Sequence, residues 1–152
     1  MLLLTFALIV TSLLILSCAS RGKQPPGLLD GHLAPCPGSP NCVSSEETDS
    51  SAFTKPFIFD GEASVAWTTL KQIIVLHGGT IQQDDGEYLW ATFTSRLFRF
   101  IDDVEFRVDV ENQRIHVRSA ARVGYSYLGV NRKRVAKLRQ AFTQGQAPDQ
   151  EK

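Results

Sequence analysis

The stretch from Leu97 to Arg134 reads LFRFIDDVEFRVDVENQRIHVRSAARVGYSYLGVNRKR, and it decides the fold. From Asp102 onward apolar and charged residues alternate, which is typical of a strand with one face in a core. The predicted core face carries Val104, Phe106, Val108, Val110, Ile115, Val117 and Ser119. A turn at Glu111–Arg114 separates the two halves of this alternation. The stretch therefore predicts an antiparallel hairpin.

The other face of this hairpin is rich in charge. A turn of four residues gives three facing pairs, which are Asp109 with His116, Arg107 with Arg118, and Asp103 with Arg122. Opposite charges across a strand pair attract, whereas two facing arginines repel unless a third group lies between them. Glu105 can reach Arg118 diagonally. We therefore expect Asp102, Asp103, Glu105 and Arg107 to form a solvated charge network in which each pair contributes little stability.

The flanking segments predict the rest of the domain. Lys55 to Phe59 is expected as a strand and Asp60 as the cap of a helix that Gly78–Gly79 ends. Thr80 to Gln83 and Glu87 to Thr94 form strands around the turn Asp84–Gly86. A loop at Gly124–Gly129 precedes a final helix that Asn131 caps, with Val135, Leu138 and Phe142 on its inner side.

This order of elements predicts an α+β fold in a single domain. We expect a mostly antiparallel, curved sheet of four to five strands with two helices on one face. The folded domain is expected over residues 53–143, followed by a disordered polar tail at 144–152.

The amino terminus predicts an envelope location. Residues 1–17 are almost wholly apolar, as in a secretory signal. The ending Ile15-Leu16-Ser17-Cys18 resembles a bacterial lipobox, which implies a signal peptide over 1–17, cleavage before Cys18 and lipid on Cys18. Ala19 then resembles an outer-membrane sorting signal, so we expect a lipid anchor facing the periplasm. The alternative is an uncleaved helix, because the cations after the apolar run would leave the body in the cytoplasm.

Residues 18–52 are expected to hold the lipidated cysteine, a polar tether and a cysteine loop. Cys36 and Cys42 are separated by five residues in a Pro/Gly turn. In an exported protein a disulfide is the default, and it would contribute about 2 kcal/mol. Free thiols and half a metal site with His32 are the alternatives.

The start of the final helix carries an electrostatic conflict. Arg132, Lys133 and Arg134 lie in its first turn, where the helix dipole is already positive. Either Asp102 and Asp103 neutralise these cations, or the helix start binds an anion such as a phosphate or a carboxylate. The candidate anion-binding residues are Arg118, Arg122, Tyr125, Asn131, Arg132 and Arg134.

Several segments resemble one known family. They are LAPCP at Leu33–Pro37, SPNCVSS at Ser39–Ser45, LFRFIDDVEF at Leu97–Phe106, VRSAARVGYS at Val117–Ser126 and LGVNRKRV at Leu128–Val135. Together they resemble the domain-of-unknown-function 1499 family from about Leu33 to Phe142. The resemblance implies an exported or envelope protein, often a lipoprotein, and carries over no catalytic residue. Tyr127 and Ala121 depart from the family pattern, which has Asp and Ser there.

Three functions fit these observations. We favour a non-enzymatic, membrane-tethered envelope lipoprotein that binds an anionic ligand or a partner through its arginine face. The alternative is a small envelope hydrolase, with Asp102, Asp103 and Glu105 as acid/base groups and Ser119 or Ser126 as nucleophile. The third is an accessory subunit with an aromatic patch at Tyr88, Trp90, Tyr125 and Tyr127.

Other classes of function lack support in the sequence. The formal net charge is zero, which argues against nucleic-acid binding. The sequence contains no serine with an obvious histidine partner, no glycine-rich phosphate loop and no metal-ligand spacing. We therefore expect no cofactor and no metal.

Overall fold

The predicted hairpin lies in the middle of the sheet. The computed structural model describes residues 2–22, 24–48, 51–97, 99–124 and 129–146. Its helices are α1 (Leu2–Arg21), α2 (Ala63–Leu76) and α3 (Val130–Gly145). Its strands are β1 (Leu28–Leu29), β2 (His32–Leu33), β3 (Cys42–Ser44), β4 (Phe57–Ile58), β5 (Gly79–Asp84), β6 (Tyr88–Thr94), β7 (Ile101–Asp109) and β8 (Arg114–Ala121). Within the described residues, no helix has the length and apolar character needed to cross a membrane.

The main sheet confirms the α+β fold. Its strands are antiparallel in the order β3-β8-β7-β6-β5, and β4 also pairs with β8. The sheet has six strands, whereas four to five were expected, because Cys42–Ser44 also pairs with β8. Strands β1 and β2 form a separate small hairpin.

Helices α2 and α3 pack on one face of this sheet. Their apolar residues recur at helical spacing and meet the alternating apolar positions of β6, β7 and β8. At the centre, the ring of Phe57 lies edge-on to those of Phe106 and Phe142, at centroid distances of 5.7 and 5.4 Å. Such aromatic contacts add specificity to the burial of apolar area.

Two adjacent glycines at the end of α2 have different roles. Gly78 has a φ of 84° and ends the helix in the left-handed conformation. Gly79 begins β5 against α2, where an added Cβ would lie 2.6 Å from Cγ2 of Ile74 and 2.7 Å from Cζ of Phe93. The helix can therefore turn directly into the sheet.

The ends of several elements differ from the prediction. The residue before α2 is Glu62 and not Asp60. The tail expected at 144–152 begins inside α3, and residues 147–152 lie outside the described part. Val110 does not join the core face and is 60% exposed, because the hairpin turn begins there.

The predicted register of the hairpin was wrong by two residues. Asp109 faces Arg114, Arg107 faces His116 and Glu105 faces Arg118. The turn comes earlier because Oδ1 of Asp109 accepts a hydrogen bond of 3.1 Å from the backbone N–H of Asn112. The repulsive pairing of Arg107 with Arg118 is thereby avoided.

We expected the charged face of the hairpin to be solvated, but its central residues are buried. Asp103 and Arg118 are each 4% exposed, and Glu105 is 0% exposed. Residues 24–36, which we term the amino-terminal cover, contact β7 and β8 through β2. The backbone N–H of Gly27 in the cover donates to Oε1 of Glu105 at 3.2 Å, and that of Leu33 donates to Oε2 of Glu46 at 2.5 Å. The sheet thus has the helices on one face and the cover on the other.

Candidate functional site

The predicted arginine cluster begins on the covered face with Arg118. Its Nη1 lies 2.6 Å from Oε2 of Glu105, and its buried Nε has no hydrogen-bond partner in the described structure. The hydroxyl of Tyr88 donates to the other oxygen of Glu105 at 2.9 Å. Burial raises the pKa of Glu105, although the charge of Arg118 opposes that rise. Burial, and then the charge of Glu105, also raise the pKa of Tyr88.

Arg122 forms a second ion pair on the same face. Its Nε and Nη2 donate to the two oxygens of Asp103 at 2.8 and 2.7 Å, a bidentate arrangement. Nε1 of Trp90 donates to Asp103 at 2.8 Å, and the guanidinium lies 5.8 Å from the centre of the Trp90 ring. The predicted contact of Asp103 with Arg122 is therefore present, although these residues do not face each other in the strand pairing.

Arg134 is paired on the helical side. Its Nη2 lies 2.7 Å from Oδ2 of Asp102, and its guanidinium lies 5.0 Å from the centre of the Phe93 ring. Burial raises the pKa of Asp102, and the charge of Arg134 opposes this effect. Three arginines of the cluster are thus neutralised by carboxylates of β7.

Asn131 was predicted to cap α3, but it does not. The N-cap residue is Gly129, with a φ of 61° and no side-chain cap. The Asn131 side chain is buried inside the first turn, where Oδ1 accepts a hydrogen bond of 2.8 Å from Ser119. Its Nδ2 donates to the carbonyl of Asn41 at 2.6 Å. Asn131 therefore joins α3, β8 and the cysteine loop.

The cysteine loop is closed by a disulfide between Cys36 and Cys42. This confirms the disulfide over free thiols and half a metal site. Since Asn41 precedes Cys42, the disulfide holds the segment that bonds to Asn131. Cys18 is a free, exposed cysteine.

Arg132 has different partners from the other arginines. It is exposed, and its guanidinium donates to the backbone carbonyls of Phe53 at 2.7 Å and Ser51 at 2.6 Å. No carboxylate forms a salt bridge with it within the described part of the chain. Tyr125, predicted as a wall of the site, lies outside the described residues, as do Ser126 and Tyr127.

A cleft of about 170 Å³ opens beside Arg132 at the start of α3. Its walls come from the cysteine loop, β7, the end of β8 and the first turn of α3. Residues that line it include Asn41, Val43, Phe100, Asp102, Ala121, Val123, Asn131 and Arg132. Four of the five segments that resemble the family therefore contribute residues to one concave surface, whereas Leu33–Pro37 does not line it.

A network around His116 contains the predicted contact with Asp109, together with contacts to Ser45 and Glu46 that the sequence did not predict. Ser45 Oγ lies 3.2 Å from its Nδ1, and Oδ2 of Asp109 lies 3.6 Å from its Nε2. No local spacing could reveal the contact, because residues 45 and 116 are far apart in sequence. The order Ser-His-Asp is that of a hydrolase triad, but Ser45 is buried and its Oγ already accepts the N–H of Val117 at 2.9 Å. Burial lowers the pKa of His116, against the opposing charge of Glu46.

Glu46 and Arg107 complete this network. The Arg107 guanidinium binds Oε1 of Glu46, which also lies 3.7 Å from Nδ1 of His116. Although burial opposes the effect, the hydrogen bonds from Arg107 and from the backbone of Leu33 lower the pKa of Glu46. Arg107 was predicted to belong to the charge network of the hairpin. It forms its ion pair with Glu46, which follows β3.

The residues named for the other two functions are largely enclosed. Ser119, a candidate nucleophile, is buried and donates to Asn131. Asp103 and Glu105 are both held by arginines. Tyr88 of the proposed aromatic patch is buried, and Trp90 is half-buried.

A comparison with protein-family models assigns residues 32–142 to one family, "Protein of unknown function (DUF1499)". The chain belongs to the DUF1499 family. No curated protein and no solved structure matches it. The DUF1499 match includes the cysteine loop, the sheet and nearly all of α3, so both the cleft and the His116 network lie within it.

Proposed function

We propose that this DUF1499 protein is a lipid-anchored envelope protein whose domain is a non-enzymatic binding module. Its cleft at the start of α3 would receive an anionic ligand or an anionic segment of a partner. The observation that carries this proposal is the position of Arg132 at the cleft. Arg132 is exposed there, and among the described residues it donates only to neutral carbonyls, whereas Arg118, Arg122 and Arg134 are neutralised by carboxylates.

The electrostatics of α3 support an anionic ligand. The helix carries five cationic residues and no acidic one. Of these, only Arg134 has a carboxylate partner in the described structure. Burial, followed by the nearby charge of Arg132, lowers the pKa of Arg139. An anion at the start of the helix would relieve this repulsion and interact favourably with the helix dipole.

The anchor belongs to the same proposal. The segment before Cys18 is apolar, and the resemblance of Ile15–Cys18 to a lipobox implies lipid on that sulfur. Several buried acyl chains would hold the protein on a membrane. The substitution Cys18→Ala should abolish metabolic labelling with a lipid precursor and release the protein from membranes. Retention of Cys18→Ala on membranes would favour an uncleaved helix.

The cleft is tested by reversing one charge. In calorimetric titrations with pyrophosphate and with succinate, we expect the full chain to bind at least one of these anions. Arg132→Glu should weaken that binding at least about tenfold, because a charge-assisted hydrogen bond contributes about 1.5–3 kcal/mol. Lys55→Glu makes the same charge change outside the cleft and should retain binding.

Stability measurements separate binding from folding. Lys55→Glu should melt close to the parent protein, and Arg132→Glu should be only slightly less stable, because it loses two exposed hydrogen bonds to Phe53 and Ser51 while a glutamate suits the first turn of a helix. Equal binding by Arg132→Glu and the parent, or no binding of either anion by the parent, would refute the cleft as an anion site.

A further inference from the structure

A second pocket lies between α3, the end of α2 and strand β6. Its volume is about 250 Å³, just below the roughly 300–1,000 Å³ that is typical of small-molecule pockets. The residues that line it are Phe93, Val130, Lys133, Arg134, Lys137, Leu138 and His77. Arg132, which carries the proposed function above, does not line it.

The floor of this pocket is apolar and fixed. Phe93 and Leu138 are both buried members of the core, so their positions are set by the packing of α3 on the sheet. Arg134 is held by Asp102 and lies over the Phe93 ring, so it forms a wall and not a free cation. Val130 adds an exposed apolar edge.

The rim of this pocket is cationic and unpaired. Lys133 and Lys137 are four residues apart on α3, so their side chains lie on the same side of the helix. Two like charges at this spacing destabilise a helix. Both lysines are exposed, and neither forms a salt bridge within the described part of the chain. The pocket thus combines an apolar floor with two ammonium groups that have no counter-charge among the residues the structure describes.

We propose that this pocket binds a small apolar acid, meaning a carboxylate or phosphate attached to a hydrophobic ring or chain. The apolar part packs over Phe93 and Leu138 and removes apolar surface from water mainly at Val130, which is 43% exposed. The anionic group lies between Lys133 and Lys137 and removes their mutual repulsion. A free anion would lack the contact with the floor, and a neutral apolar molecule would lack the contact with the lysines.

Phenyl phosphate is a suitable probe, because it carries a ring and an anion in one small molecule. The full chain in phosphatidylcholine nanodiscs should bind it at least about tenfold more tightly than inorganic phosphate or phenol, by calorimetric titration. The substitutions Lys133→Glu and Lys137→Glu together should remove this preference. The charge-matched pair Lys55→Glu and Arg96→Glu, whose residues do not line the pocket, should preserve it.

Two further measurements make the result decisive. Arg132→Glu should leave phenyl phosphate binding intact, so that failure of the cleft and failure of this pocket can be distinguished. Nanodiscs that also contain phosphatidic acid separate a free acid from a lipid as the natural source. Unchanged affinity there favours a free acid, and weaker apparent affinity favours an occupying lipid. Equal affinity for phenyl phosphate and inorganic phosphate, or unchanged binding in the double lysine variant, would overturn the proposal.

Discussion

Oε2 of Glu105 lies 2.6 Å from Nη1 of Arg118, and the Glu105 side chain is completely buried between the sheet and the amino-terminal cover. The two residues face each other across β7 and β8, at the centre of the charge network. Tyr88 and Gly27 both donate to the other oxygen of Glu105, Oε1, whereas the Nε of Arg118 has no partner in the described structure. The pair therefore holds the cover to the sheet, but it is not fully satisfied.

Removing one member of this pair should destabilise the domain strongly. We expect Glu105→Ala to lower the free energy of unfolding by about 3–5 kcal/mol, because Arg118 would remain buried without a counter-charge. Urea denaturation measures this change. The double variant Glu105→Leu with Arg118→Met should recover only part of the loss, since an apolar pair can replace a buried ion pair but leaves Tyr88 and Gly27 without their acceptor. A loss below about 1 kcal/mol for Glu105→Ala would show that water reaches the pair.

The same pair shows what could be predicted from sequence. The alternation in β7 and β8 identifies the hairpin and its core face, and the helical spacing identifies α2 and α3. The charged face was misjudged because the register depends on the turn that Asp109 and Asn112 form. Alternation alone cannot reveal that a second layer covers this face.

The sequence of the amino-terminal cover has no hydrophobic periodicity from which its strands could be predicted. Its strands contain two residues each, and several of its backbone N–H groups bond to distant carboxylates. Gly27 bonds to Glu105 and Cys36 to Glu47, contacts that depend on the finished sheet. For the candidate site, the sequence predicted the contacts of Asp103 with Arg122 and of Glu105 with Arg118, but neither their burial nor the contact of Arg107 with Glu46.

Stability should depend on pH through His116. Its folded-state pKa is lowered by burial, so the unfolded chain takes up a proton first as the pH falls. The free energy of unfolding should therefore decrease as the pH drops through about 6.5, the usual pKa of histidine, and this decrease should end below the folded-state pKa. Urea denaturation between about pH 7.5 and pH 5 measures the effect.

The variant His116→Gln should flatten this part of the pH profile. Glu46, whose pKa is lowered mainly by Arg107 against the effect of burial, contributes in a different window. Its contribution is lost only as the pH falls below about 4.5, the model value for glutamate. An unchanged slope near pH 6 in His116→Gln would assign the dependence to another group.

Loss of the disulfide should destabilise the domain moderately. A closed loop with a sequence separation of 6 residues restricts the unfolded chain, which corresponds to about 2 kcal/mol. The variant Cys36→Ala with Cys42→Ala should show this loss in urea denaturation. Reduction of the parent protein should have the same effect, and reduction of the double variant should have none. A difference between the reduced parent and the variant would indicate a packing cost at buried Cys42.

Asn131 should couple the start of α3 to the sheet. Asn131→Ala removes a donor to Asn41 and an acceptor for both Ser119 and Arg134, so we expect a loss of about 2–3 kcal/mol in the free energy of unfolding. Ser119→Ala removes only one of these bonds and should cost less. In a double-mutant cycle the two substitutions should not be additive and should show a coupling energy of about 1 kcal/mol, which urea denaturation of the four proteins measures. Additive losses would mean that the hydrogen bond of 2.8 Å between Ser119 and Asn131 contributes nothing, and that the bonds of Asn131 to Asn41 and Arg134 fix the wall of the cleft.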